Sequence, residues 1–325
     1  KGVVEAHSYI LCRFTANDNN EVIQKPVPDF ALDIPVKEMS AQEYESYCNE
    51  GFVRPFNLSE GPLVRFEIVK SESLYLLMDM HHLVTDGASV DIFLRQLCMK
   101  LDGREIEKES CSYYDYAEQE KITQESEDFF AGRMALSDEA TQIIPDVYGG
   151  NLRHSEKSVS VNTDIEAVKA FALKNGVTPA EIYLAAGYIT FSRFVCDDTV
   201  SIITISNGRS NMKINDTLGM FVNTLPLVET VDSNESVSSF IKRTAKNFSD
   251  TILHENYPFA RIASKYDFHP SISYAYQIGV IDDYTTKHGA VTVEELTSDK
   301  AKIPVAVFIT GTEKEAAIKV SYDNL

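Results

Sequence analysis

Apolar residues along this chain are spaced in ways that select element types. The clearest pattern begins at Pro62. Residues 63–69 (LVRFEIV) and 73–80 (SLYLLMDM) read as strands joined by a turn at Ser71–Ser73, hence as antiparallel neighbours. The second run is nearly all apolar, which predicts a central strand buried on both faces. Val90, Phe93, Leu94 and Leu97 then recur at helical spacing, with Asp86 or Thr85 placed to cap the helix. Upstream, residues 8–16 read as a strand. Residues 17–60 are loop-rich, with prolines at 26, 28, 35 and 55. An acidic helix is predicted over about 113–131.

Punctuation is clearer in the second half. Pro145 and the Gly149-Gly150 pair mark a boundary within 142–158. Thr163 and Glu166 form a capping box opening a helix that Gly176 ends. Thr178, Pro179 and Glu181 open another, running to about Phe194. Residues 200–206 and 224–231 read as strands. Asn234 opens a helix with Val237, Phe240, Ile241, Phe248 and Ile252 on one stripe. Strands follow at about 272–280, 290–296, 303–310 and 315–322. Both halves mix sheet and helix, so the fold class is α/β or α+β in two lobes, 1–150 and 151–325.

Composition narrows the function. The 325 residues suit one large domain or two lobes. With 44% apolar and 24% charged residues, the chain is globular, not disordered. Thirty Lys and Arg against 49 Asp and Glu give a net charge of −19, which supplies no basic face for nucleic acid. The acidic residues are dispersed (Glu105, Glu107, Glu109, Glu118, Glu120) and read as a solvated surface. No segment reaches the roughly 18–20 apolar residues of a membrane helix. Five widely spaced cysteines without a CxxC pair read as reduced thiols of a cytoplasmic protein. The first residue is Lys1, so a fragment is expected.

The segment that carries chemistry is HHLVTDG, residues 81–87. Adjacent side chains on an extended chain point to opposite sides, so one histidine faces the sheet and the other a cleft. Alternation alone does not say which of His81 and His82 faces the cleft. An imidazole can take a proton from an amine or hydroxyl nucleophile, or hold that nucleophile beside an acyl carbonyl. Asp86 lies where the strand turns into the helix, and Gly87 leaves room for a close approach of backbone or substrate. No GxSxG elbow points to an acyl-enzyme. No HExxH spacing or Cys/His pair completes a metal site. A core histidine beside an N-cap aspartate would give the same letters.

HHLVTDG resembles the HHxxxDG signature of the condensation domains of nonribosomal peptide synthetases, members of the HxxxD acyltransferase group that includes chloramphenicol acetyltransferase. Further segments match in order. RPFNLSEGPLVR (54–65) resembles RPFDLxxGPLxR, and YYDYA (113–117) resembles YxD[FY]A. NGR (207–209) resembles its NGR, LGMFVNT (218–224) its [IV]GxFVNT, and HENYPF (254–259) its [HN]QDYPFE. The family's RHExLRTxF falls on residues 6–14. There His7 and Phe14 fit, but two arginines are replaced by Ala6 and Leu11. In the family the arginine at the Leu11 position pairs with the motif aspartate. Arg13, on the same strand face, is the expected substitute for pairing with Asp86; Arg209 and the amides at the start of the 87–100 helix are the others. The family's terminal segments have no counterpart at either end of this chain.

The resemblance implies two chloramphenicol-acetyltransferase-like lobes in a V, with a tunnel between them. His82 is then the catalytic positioner or base. His81, Asp86 and Gly87 support the loop, and Asn207 and Asn223 lie where the lobes meet. No cofactor or metal is expected on the domain itself. Its substrates are thioesters on the phosphopantetheine arms of upstream and downstream peptidyl carrier domains, with an adenylation domain nearby, and its product is an amide. Two alternatives stay open: a catalytically idle recruitment module, and a stand-alone acyltransferase using a soluble acyl donor.

Overall fold

The computed structural model describes residues 1–27, 31–137, 140–144, 153–161, 164–210, 212–278, 284–294, 296, 303–311 and 316–324. In chain order the elements begin with α1 (Gly2–Ala6), β1 (Cys12–Ala16), β2 (Val22–Pro26), β3 (Val36–Glu38) and α2 (Ala41–Glu50). Next come β4 (Val64–Lys70), β5 (Leu74–Met80), α3 (Gly87–Leu101), α4 (Tyr113–Gln119), α5 (Gln124–Met134) and β6 (Arg153–Val161). They continue with α6 (Ile165–Asn175), α7 (Pro179–Val195), β7 (Thr199–Ser206), β8 (Asn223–Thr230), α8 (Val237–Ile252) and α9 (Phe259–Tyr266). The last are β9 (Ile272–Ile278), β10 (Tyr284–Thr286), β11 (Gly289–Val291), β12 (Val305–Gly311) and β13 (Ala316–Asn324). The mixed α/β class expected from the sequence is what forms.

The chain divides into two compact units that are interleaved along the sequence. Described residues within 1–120, 209–221 and 284–296 form one, and those within 121–208, 222–278 and 303–324 the other. The predicted lobes instead had a single cut at residue 150. Residues 121–144 fall in the second unit because Phe130, Met134 and Ala140 are buried with Leu225, Val228 and Ile262. The glycine pair expected to mark the boundary lies outside the described residues.

In the first unit β3, β4 and β5 form a sheet in that order. Phe66 and Phe93 stack face to face at 5.4 Å, packing α3 against one face of β4. On the other face, Val69 and Leu77 pack with Phe52 and the tyrosines of α2. β5 is therefore an edge strand, not the central one expected. Its apolar run covers both faces, but the outer edge has no strand partner among the described residues, and Leu74 is 72% exposed. The predicted strand at 8–16 begins only at Cys12, after a 3-10 turn at Ser8–Ile10. The predicted helix at 113–131 is two, because Glu120 leaves helical geometry and Thr123 caps α5 afresh. The predicted strand at 290–296 is instead a short hairpin, β10–β11.

The second unit holds a six-stranded sheet in the order β6-β13-β12-β9-β7-β8. Pro226 lies in β8, at the edge, where a missing N–H costs no ladder bond. Its core places Leu184, Tyr188 and Phe191 of α7 and Phe240 and Ile241 of α8 against Ile202, Leu227 and Ile272. Thr178 and Glu181 form the expected capping box, and Gly176 takes the left-handed conformation (φ 68°) that ends α6. Two caps differ from expectation. Thr163 lies outside the described residues and Asp164 caps α6, while Ser236, not Asn234, caps α8.

Candidate active site

The HHLVTDG segment follows β5 as a short turn into α3. His81 donates its backbone N–H to the Leu63 carbonyl, one residue before β4. Its ring meets Phe56 edge-on at 6.0 Å, and Nδ1 accepts from the Leu83 amide at 3.1 Å. His81 is half-buried, whereas His82 is exposed. The two imidazoles thus have different surroundings, although residues 82–84 form a turn and not the extended chain that alternation assumes. His81 has one ring nitrogen engaged locally, and His82 is left accessible. Tyr9 reaches the Leu83 carbonyl with its hydroxyl at 3.4 Å.

Asp86 caps α3. It is 2% exposed, and every polar contact of its carboxylate is specific. The Ser89 amide donates to Oδ1 at 2.7 Å and the Phe221 amide to Oδ2 at 2.9 Å. Arg209 donates through Nη2 to both oxygens, at 3.2 and 3.4 Å. A buried carboxylate needs such partners, and it has a cation, two amides and the positive end of a helix. The partner is Arg209. Arg13, the first expectation, makes no bond to Asp86, and its Nε is buried without a partner among the described residues. Strand parity ranks Arg13 first, but Leu11 lies outside β1, and the two other candidates, Arg209 and an amide in the first turn of α3, are the ones that bond Asp86.

Arg209 is itself locked. Nη1 donates to the carbonyls of Ile214 and Thr217 at 2.8 Å each, and the guanidinium lies 4.3 Å from the Phe221 ring centre. Phe221 in turn meets the edges of Tyr113 and Tyr116, both at 5.0 Å. The Tyr113 hydroxyl donates to the Met220 carbonyl at 3.0 Å. Burial, with the charges of Glu120 and Asp86 nearby, pushes that phenol up to about 12, so it remains a neutral donor. The YYDYA and LGMF segments, far apart in sequence, thus form one support under the aspartate.

Other expectations resolve differently. A Cβ on Gly87 would meet nothing within 4 Å among the described residues, so none of their backbone demands that glycine. The crowding is at Gly219, where a Cβ would lie 2.3 Å from the Tyr113 ring. Asn207 follows β7 and Asn223 opens β8, facing Ser206 in the strand register. The chain leaves β7 through Asn207, joins the first unit from 209 to 221, and returns to the second at Val222, just before Asn223. His7 is fully buried, with Nδ1 2.8 Å from Glu109 and Nε2 2.7 Å from Gln96 of α3. Sequence reasoning did not foresee Ser89, Gly219 or Tyr113 as support. Their signal was a hydroxyl one helical turn after Asp86, and two motifs whose order was legible but whose contacts were not.

A family model for the condensation domain matches residues 1–324, and the chain belongs to that family. Among its relatives, bacitracin synthase 1 of Bacillus licheniformis is 27% identical over 282 residues, covering 82% of this chain and 5% of that protein. Surfactin synthase subunit 1 of Bacillus subtilis is 26% identical over 345 residues, covering 99% of this chain and 10% of the relative. The chain therefore spans a small part of the relatives it matches. Its fold is also that of solved structures. The X-domain from teicoplanin biosynthesis superposes with a TM-score of 0.80 at 18% identity, covering 99% of this chain and 80% of that one. The first condensation domain of the calcium-dependent antibiotic synthetase gives 0.74 at 16% identity, with 99% and 80% covered.

Proposed function

We propose that this domain forms an amide bond between two thioesters presented on phosphopantetheine arms of carrier domains in a nonribosomal peptide synthetase. The acceptor amine attacks the donor carbonyl carbon. A C–N bond forms, the C–S bond breaks, and the amine's proton ends on the departing thiolate. His82 is the residue that orients the amine or relays that proton. His81 and Asp86 hold the turn in which His82 sits. Asn207 and Asn223 flank the segment that carries Arg209. Holding both reactants together contributes much of the rate, since well-oriented groups reach large effective molarities.

The observation that supports this reading is the Asp86–Arg209 pair. The arginine usually aligned at position 11 is absent, yet the motif carboxylate has a buried guanidinium partner, so the turn keeps its support. The test is single-turnover amide formation between two loaded carrier domains. His82→Ala is expected to abolish product while the melting transition stays unchanged. An unchanged rate in His82→Ala would refute the assignment. A wild-type chain inert with loaded carriers, yet able to bind them, would favour recruitment. Turnover with a soluble acyl-coenzyme A and no carrier would favour the stand-alone acyltransferase.

A further inference from the structure

Ser89 lies in the first turn of α3, three residues after Asp86, and is 1% exposed. Its hydroxyl makes three bonds within hydrogen-bond range. It donates to the Gly219 carbonyl at 2.7 Å and accepts from the Gly219 amide at 3.0 Å. It also accepts from Nη2 of Arg209 at 2.9 Å. A serine hydroxyl has one proton and two lone pairs, so its capacity is used in full. Its backbone amide is also engaged, donating to Asp86 Oδ1.

We infer that Ser89 is a positioning residue for the proposed condensation. One side chain grips both polar groups of the Gly219 peptide and the guanidinium nitrogen that binds Asp86. It thereby fixes the 209–221 loop against the start of α3. Gly219 is also crowded by the Tyr113 ring, so the loop is held by a hydroxyl and an aromatic ring together. A hydrophobic residue at 89 would leave a buried N–H, a buried C=O and part of a guanidinium without this partner. The Asp86–Arg209 geometry then loosens, and with it the turn carrying His82. Ser89 touches no substrate in this scheme and acts only through Arg209 and Gly219.

This inference rests on the condensation reading for its catalytic half, but not for its structural half. Ser89→Ala and Ser89→Thr are compared with wild type in two assays. Amide hydrogen exchange reports the clamp without any substrate. Ser89→Ala is expected to speed exchange at Gly219 and Phe221 roughly tenfold or more, whereas Ser89→Thr, which keeps the hydroxyl, remains near wild type. Amide formation with loaded carriers is expected to show kcat lowered about ten- to a hundredfold in Ser89→Ala, KM for the carriers unchanged, and most of kcat regained in Ser89→Thr. Equal exchange in all three proteins overturns the clamp. Faster exchange in Ser89→Ala with kcat unchanged overturns the positioning role and leaves the condensation reading standing. A wild type that forms no amide overturns that reading and the catalytic role of Ser89 together, while exchange still decides the clamp.

Discussion

Glu67 in the first unit and Glu229 in the second are both 4% exposed, both sit in a strand, and each has a cation and a neutral donor. They nevertheless shift in opposite directions. Burial works against ionisation of Glu67, but Lys37 at 2.7 Å and the Tyr47 hydroxyl at 2.8 Å outweigh it and hold the carboxyl below its usual range. Lys37 and Arg54 lie at the solvent edge, so this charge is only partly desolvated. Glu229 lines a small cavity with Leu184, Tyr188, Leu227 and Phe248. There burial dominates and pushes the carboxyl up, despite Asn247 at 2.6 Å and contact with Arg243. Arg243 divides its bonds among Glu229, Glu235 and the Thr230 carbonyl. A cation shared three ways, in apolar surroundings, does not repay desolvation. Asp86 is a third solution, with a buried guanidinium that reaches both carboxylate oxygens and two amides converging on the same group.

The largest expected effect is at that third site. Asp86→Ala leaves the Arg209 guanidinium buried without its anion and is expected to destabilise the chain by about 3–5 kcal/mol in urea unfolding. A loss below about 1 kcal/mol would mean the pair is not the anchor. Glu67→Gln is next, at about 1–3 kcal/mol near neutral pH. The native Glu67 value lies below the unfolded one, about 4.3. Its stabilisation is thus present above 4.3 and disappears as pH falls through the native value, so the gap between wild type and Glu67→Gln should close in acid.

Glu229 carries the opposite sign. Its native value is raised, so its contribution is complete below about 4.3 and is lost as pH rises through the native value. Glu229→Gln should therefore gain on wild type as pH rises from 4 to 7. Its net effect at neutrality should stay within about 1 kcal/mol, because Glu235 retains Arg243. Melting curves across pH that run parallel for wild type and Glu229→Gln would contradict this. The smallest effect is expected at Arg13. In double-mutant cycles, Arg13→Met with Asp86→Ala should couple by less than about 0.5 kcal/mol, while Arg209→Met with Asp86→Ala should couple by more than about 1 kcal/mol. The reverse order would restore Arg13 as the partner.

Local patterns carried much of this structure. The 3.6-residue spacing of α3, the Thr178-Glu181 box and the apolar runs of β4 and β7 needed no tertiary knowledge, because each reports burial or capping within a few residues. What escaped was long-range. β5 read as central because an apolar run records that both faces are covered, and it does not record whether both edges are. The break between α4 and α5 was written in Thr123, whose hydroxyl accepts from the Ser126 amide, but acidic composition on both sides hid it. Among the three candidate partners of Asp86, strand parity, a rule blind to loops, ranks Arg13 above Arg209 and the α3 amides that do bond it. HHLVTDG identified the turn, the cap and the two histidines; the support beneath them came from residues 113, 209 and 219–221, whose approach no periodicity encodes.

The interleaving of the two units has a consequence for synthesis. A ribosome delivers Asp86 long before Arg209, 123 residues later. At about 5–20 residues per second, the aspartate waits roughly 6–25 s for its counterion. During that interval residues 1–120 also lack the β10–β11 hairpin, whose Tyr284 bonds Asp91 and whose Lys287 amide donates to Asp102. The first unit to emerge is therefore still incomplete when most of the second has been made, and its helix α3 stays partly unsupported until the nascent chain has grown past residue 291.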